Sequence, residues 1–173
     1  MKRWIGPLAV FVIAALAAHW ATLAYTPGFI MDRALATLKD RGIAEHAFTT
    51  PQRITPQTQA VVRSSPDLFY SLCRYDLRKS GSALRIEVGE WPDYQSLSFF
   101  DAETNNFETL RATGQPVSAL LAMQDLPIEP EGALIKATTA RGVILIRRVA
   151  PTPELFGKAR EAAKADRCEL ITL

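Results

Sequence analysis

With 173 residues, the chain has length for one modest domain and not for two. Hydrophobic residues make up 48%, enough for a core, and 20 basic against 18 acidic side chains leave a formal charge of +2. Both excess charges, Lys2 and Arg3, precede the first apolar run. The rest of the chain is formally neutral, which excludes a basic field for nucleic acid and a polybasic patch for anionic lipid.

Ile5–Tyr25 is uncharged and interrupted only by Gly6, Pro7, His19 and Thr22. As a helix rising about 1.5 Å per residue it covers roughly 30 Å, the thickness of a bilayer core. The lipid bilayer is therefore the expected partner of Ile5–Tyr25. Lys2 and Arg3 keep the N-terminus cytoplasmic and send everything after Tyr25 across the membrane. The alternative is a cleaved signal peptide, with a small-x-small site at Ala15-Leu16-Ala17. The run continues past that site through Trp20, Leu23 and Tyr25, longer than a signal's apolar region of about 7–15 residues. Trp4 at one end and Trp20 with Tyr25 at the other suit interfacial belts. Length and aromatics favour an anchor over residues 1–25.

Thr26 can cap a second, short helix with Pro27 at its first position. Ile30, Ala34, Leu35 and Leu38 recur at helical spacing, Lys39 and Arg41 occupy the last turn, and Gly42 stops it. Ile43–Gln59, with Pro51 and Pro56, has little periodicity and reads as an arm laid over the domain. Residues 26–57 thus form a juxtamembrane helix and connecting arm.

Residues 58–173 read as a β-rich exported domain with a C-terminal helix. Val61-Val62 ends a strand, Arg63-Ser64-Ser65-Pro66-Asp67 has turn chemistry, and Leu68–Leu77 resumes an extended pattern. Leu84–Val88 alternates apolar and charged residues, and Tyr94–Phe100 is another strand, ending in a polar turn at Asp101–Asn106. Phe107–Leu110 and Val117–Ala122 are shorter candidates, and Leu126–Gly132, with two prolines, is a rigid loop. Leu134–Thr138 and Val143–Val149 read as a hairpin around Ala140-Arg141-Gly142, where the sheet ends. Thr152-Pro153-Glu154 starts a helix reaching about Asp166. Closely spaced strands bracketed by helices predict an α+β domain, a mostly antiparallel sheet with flanking helices, behind one N-terminal transmembrane helix.

The densest polar and aromatic group runs from Arg63 to Asp76. In a functional reading Arg63 clamps an anion or carboxylate, Asp67 orients it, Ser65 and Tyr70 line a pocket, and Trp91 adds an aromatic wall. In the structural reading the same residues tie down a turn, with Arg63–Asp67 or Arg74–Asp76 as ion pairs. Nucleophilic catalysis lacks a base, since the exported part holds only His46. Two distant cysteines and two histidines make no metal cluster, and no Walker or dinucleotide fingerprint is present, so no metal or cofactor is expected. Cys73 and Cys168 are an even pair in an exported chain, which leaves a disulfide and two buried thiols both open.

Arg63-Ser64-Ser65-Pro66-Asp67 with Tyr70, then Asp76-Leu77, Trp91-Pro92 before Tyr94, and Asp101-Ala102-x-Thr104-x-Asn106, together resemble a family known as DUF1254, over roughly Ile54 to Val149. Larger members of that family carry a second, jelly-roll-like domain, DUF1214. The resemblance implies a short membrane-anchored version whose companion comes from another chain. The expectation is a single-pass protein of the bacterial inner membrane with its C-terminal domain in the periplasm, acting as an interaction module of the cell envelope. An envelope hydrolase or small-ligand binder around Arg63, Asp67 and Tyr70 is the alternative.

Overall fold

The computed structural model describes residues 2–53, 64–79, 81–124 and 132–172. After a single 3-10 turn at Lys2–Trp4, helix α1 runs unbroken over Ile5–Asp40. The break expected at Thr26-Pro27 does not occur: Pro27 lies inside α1. A proline within a helix forfeits one backbone bond and costs about 3 kcal/mol or more, so something must hold the two halves in line. Beyond Pro27 the helix is packed on the domain. Met31 is buried, Ala34, Leu35 and Leu38 are half-buried at the same helical spacing, and Gly28 approaches the Ala102 carbonyl. The stop at Gly42 is a paired C-terminal cap. With Gly42 at φ +76°, its N–H donates to Lys39 O at 2.9 Å and the Ile43 N–H to Leu38 O at 3.0 Å.

The arm then lies along the edge of strand β1 (Leu68–Asp76). Thr49 and Leu72 exchange backbone bonds at 2.8 and 2.9 Å, and His46 Nε2 accepts the Asp76 N–H at 3.0 Å. Covering an edge in this way removes a row of unpaired backbone groups.

The strands that follow are β2 (Ser82–Val88), β3 (Tyr94–Phe100), β4 (Asn106–Thr113), β5 (Val117–Ala122), β6 (Ala133–Lys136), β7 (Arg141–Val149) and β8 (Arg167–Thr172). Instead of the one sheet expected, they form two four-stranded sheets, ordered β1-β7-β3-β4 and β6-β5-β2-β8. All pairings are antiparallel except β5 with β6. The sheets pack face to face over one core, in which Cys73, Tyr75, Leu97, Phe99, Ile144 and Ile146 meet Leu84, Ile86, Ala119, Leu121 and Ile135. A disulfide joins Cys73 on β1 to Cys168 on β8, with Cα atoms 6.6 Å apart, and so ties one sheet to the other.

Two further expectations are corrected. Residues 133–149 are not a hairpin: β6 belongs to the second sheet and β7 is a central strand of the first. The Thr138–Ala140 segment carries the chain between layers. Thr138 Oγ1 donates to Asp101 Oδ2 at 3.0 Å, and Thr139 Oγ1 accepts the Ala102 N–H at 2.8 Å. Gly142 opens β7 where a Cβ would lie 2.1 Å from Phe100 O, a contact only glycine allows. Nor does the chain end on a helix, since β8 follows and pairs with β2.

Helix α2 (Pro153–Ala162) begins at Thr152, whose side chain accepts the Leu155 N–H at 3.2 Å. It caps one end of the domain through a second cluster of Phe69, Trp91, Ala150, Phe156 and Ala159, with the Phe69 and Phe156 rings edge to face at 5.0 Å.

Candidate functional site

The turn before β1 holds some of the predicted site residues together and separates others. Arg63, with Val61 and Val62, lies outside the described residues. The Ser65 N–H donates to the Tyr70 hydroxyl at 3.1 Å, and the Asp67 N–H to Ser65 Oγ at 3.3 Å. Asp67 is exposed, and its carbonyl accepts the Ala150 N–H at 2.8 Å, pinning the turn to the end of β7. Ser65, Asp67 and Tyr70 therefore form one corner. Trp91 does not join them. It is 3% exposed, donates from Nε1 to Val149 O at 3.2 Å, and packs with Phe69. Phe69 and Tyr70 are successive residues of one strand and point to opposite faces, so the sheet stands between Trp91 and Tyr70.

The ion pairing also differs from expectation. Arg74 pairs with Glu45 at 3.5 Å and donates from Nε to Ile43 O at 2.9 Å, while Asp76 is taken by Arg78 just beyond the strand. The Arg78 side chain is the main reason that Asp76 titrates below the usual carboxylate range. These groups line an open groove of about 240 Å³ between the end of α1 and the β1 edge. Across it Arg141 reaches Asp32 of α1 at 3.3 Å. Three guanidinium groups there face three carboxylates, and Lys39 adds a fourth cation. The groove is polar and nearly charge-balanced, so its chemistry is that of a latch between helix and domain.

The most buried charges lie elsewhere. Arg148, on the core side of β7, and Asp166, just before β8, have fully buried side chains and are joined by two parallel bonds of 2.8 and 2.7 Å. Arg148 Nε donates to Gln95 Oε1 at 3.1 Å, and the Gly89 N–H donates to Asp166 Oδ1 at 3.0 Å. Every charge is matched inside the protein, which makes this a structural clasp. The sequence reading missed it. The available signal was Arg147-Arg148 inside an apolar central strand, because alternation must turn one of the two inward, where it needs a partner.

Asp101 is likewise structural, at 3% exposure. Burial works against its ionisation. Bonds donated by Asn105, by the Glu103 N–H and by Thr138 outweigh that and hold its pKa below the usual range. Among the described residues no group of three His, Cys, Asp or Glu side chains is placed to hold a metal ion.

Fold and sites together define an α+β domain of two packed sheets behind a helix long and apolar enough to span a membrane. Residues 46–169 match the family described as "Protein of unknown function (DUF1254)", and the chain belongs to that family. Solved structures share the fold, two of them as follows. The VPA0106 protein from Vibrio parahaemolyticus is 15% identical with a TM-score of 0.61, and the match covers 88% of this chain and 37% of that one. An uncharacterised protein from Burkholderia cenocepacia is 16% identical with a TM-score of 0.52, covering 76% and 36%. The chain thus matches little more than a third of either solved chain, and at these identities the likeness is one of fold. No curated protein matches it.

Proposed function

We propose that this protein is a single-pass anchored component of the bacterial inner membrane. Its β-rich domain stands in the periplasm and serves as a non-catalytic interaction module beside a companion domain carried on a separate chain. The observation that carries the reading is the surface of α1. From Ile5 to Tyr25 every side chain is exposed, with Phe11 at 68% and Trp20 at 68%, and the domain covers none of it. An apolar surface of that length calls for a lipid or protein cover. Lys2 and Arg3 on its N-terminal side favour a cytoplasmic N-terminus. The Cys73–Cys168 bond fits an oxidising compartment for the domain. The companion rests on the two solved neighbours, in which the shared fold accompanies a longer stretch of chain.

A reporter active only outside the cytoplasm, fused after Leu173, is expected to be active, with the chain resisting carbonate extraction. Release into the soluble periplasm with a mature N-terminus at Ala18 would replace the anchor with a cleaved signal. Purification from membranes through a C-terminal tag is expected to bring a second envelope protein in near-equal amount. A homogeneous product at native expression would remove the companion from the reading.

A further inference from the structure

One row of side chains crosses all four strands of the first sheet on its outer face. Tyr70 on β1 is opposite Arg147 on β7, Arg147 opposite Ser96 on β3, and Ser96 opposite Arg111 on β4. Residues directly opposed on neighbouring strands share a face, with Cβ atoms about 4.5–5.5 Å apart. Leu97 and Ile146 lie in the core, so alternation turns Ser96 and Arg147 away from it.

Among the described residues two buried side-chain polar atoms lack a hydrogen-bond partner, Ser96 Oγ and Arg147 Nε. They belong to residues directly paired across β3 and β7. Ser96 is 2% exposed. Desolvating a polar atom without a partner is costly, and such orphans are rare and call for a cause. Arg147 already commits Nη2 to Ser98 Oγ at 3.0 Å, and Thr109 Oγ1 donates to that same hydroxyl at 3.1 Å, so the guanidinium is aimed before anything binds. Neither Arg147 nor Arg111 takes part in an ion pair among the described residues. Tyr94, two residues before Ser96 on the same face, has its hydroxyl under the influence of Ser96 and Arg111. Ser96 first, then Arg111 and Arg147, hold that hydroxyl below the ordinary tyrosine range. In the next row Leu72 and Leu145, both half-buried, supply an apolar flank.

We propose that this row is a binding site for a small oxyanion, a carboxylate or a phosphate, borne on a short apolar body. Arg111, exposed on β4, meets the anion first, a shift of the side chains over the row uncovers the buried Arg147 Nε and Ser96 Oγ to donate to it, and Leu72, Leu145 and the Tyr70 ring receive the apolar part. Two guanidinium groups with no carboxylate paired to them favour negative charge, and a guanidinium fork suits the geometry of either oxyanion. The site does not depend on the companion domain.

The full chain in nanodiscs of zwitterionic lipid, at fixed ionic strength, is titrated by calorimetry with benzoate, phenyl phosphate and neutral benzamide. At least one of the two anions is expected to bind saturably and about tenfold or more tighter than benzamide, and the tighter anion names the headgroup. Arg111→Gln, at an exposed position, and Ser96→Ala should each weaken that binding about tenfold, while Lys158→Gln on α2 should not. Equal affinity for all three compounds overturns the proposal. So does anion binding that survives both Arg111→Gln and Ser96→Ala. If Ser96→Ala raises Tm and leaves binding intact, the orphan hydroxyl is a packing defect and the site does not exist.

Discussion

Replacing Asp166 by alanine tests whether the buried clasp holds the C-terminal third of the domain. The substitution deletes two bonds of 2.8 and 2.7 Å to Arg148 and the acceptor of the Gly89 N–H. It leaves a guanidinium of zero exposure with only Gln95 Oε1 and Gly89 O for company. Stranding one member of a buried ion pair costs about 3–5 kcal/mol. That is a large fraction of the roughly 5–15 kcal/mol by which domains are stable. At about 2–4 °C per kcal/mol for a domain of this size, Tm should fall by roughly 6–20 °C. Removing both charges in Arg148→Met/Asp166→Leu should recover most of the loss, because an apolar pair of similar volume is commonly neutral relative to a buried ion pair. Urea unfolding followed by far-UV circular dichroism gives both numbers, with an unchanged slope as the check that only stability moved. A single variant costing less than about 1 kcal/mol, or a double variant as unstable as the single, would refute the argument from burial.

Opening the disulfide should destabilise the domain by up to about 4–5 kcal/mol in the chain-entropy account, since it spans 95 residues. Cys73→Ser/Cys168→Ser should match wild type measured in reductant, and a Tm unmoved by either would show that the tie is redundant. Asp101 predicts an acid limb. Its folded pKa lies below the unfolded value of about 3.9, so its contribution is full above that value and is lost as pH falls through the folded one. Asp101→Asn should lower the urea midpoint at neutral pH and flatten its fall toward acid, and parallel curves for the two proteins would refute the assignment.

Local signals were legible and layer assignment was not. Gly42 at the end of α1, Thr152 at the start of α2, and the alternation over Leu84–Val88 in β2 are each set by neighbours in sequence, and the structure has each of them. The hairpin expected over residues 134–149 failed for a different reason. Two apolar runs around Arg141-Gly142 read the same whether the chain folds back or crosses to the opposite sheet. Here Thr138 and Thr139 bond to the Asp101 loop about 37 residues away and carry the chain across, which no local window records. Pro27 misled in the same way, because packing of Met31 against the domain overrides a local helix-start signal. Of the site residues, the Ser65–Tyr70 corner was within reach because its bonds are local. The pairing of Ser96 with Arg147 depends on a register between strands about fifty positions apart.

Several motif residues serve the fold itself. Trp91 fills the cluster beneath α2, and Asp101 organises the loop against which α1 rests. A family defined partly by such positions can keep its architecture while the outer face of the first sheet changes, so membership alone does not assign a ligand. The latch groove and the row at Arg147 are also separate. Arg141 meets α1 at the start of β7, and Arg147 stands six residues further along the same strand, about 20 Å away at roughly 3.3 Å per residue. The Arg141–Asp32 contact is exposed, at 42% and 60%, and such pairs contribute about 0–1 kcal/mol. A change in how the domain sits on α1 would therefore act on the groove first. The row at Arg147, inside a sheet pinned by the disulfide and the Arg148–Asp166 clasp, would keep its geometry through that movement.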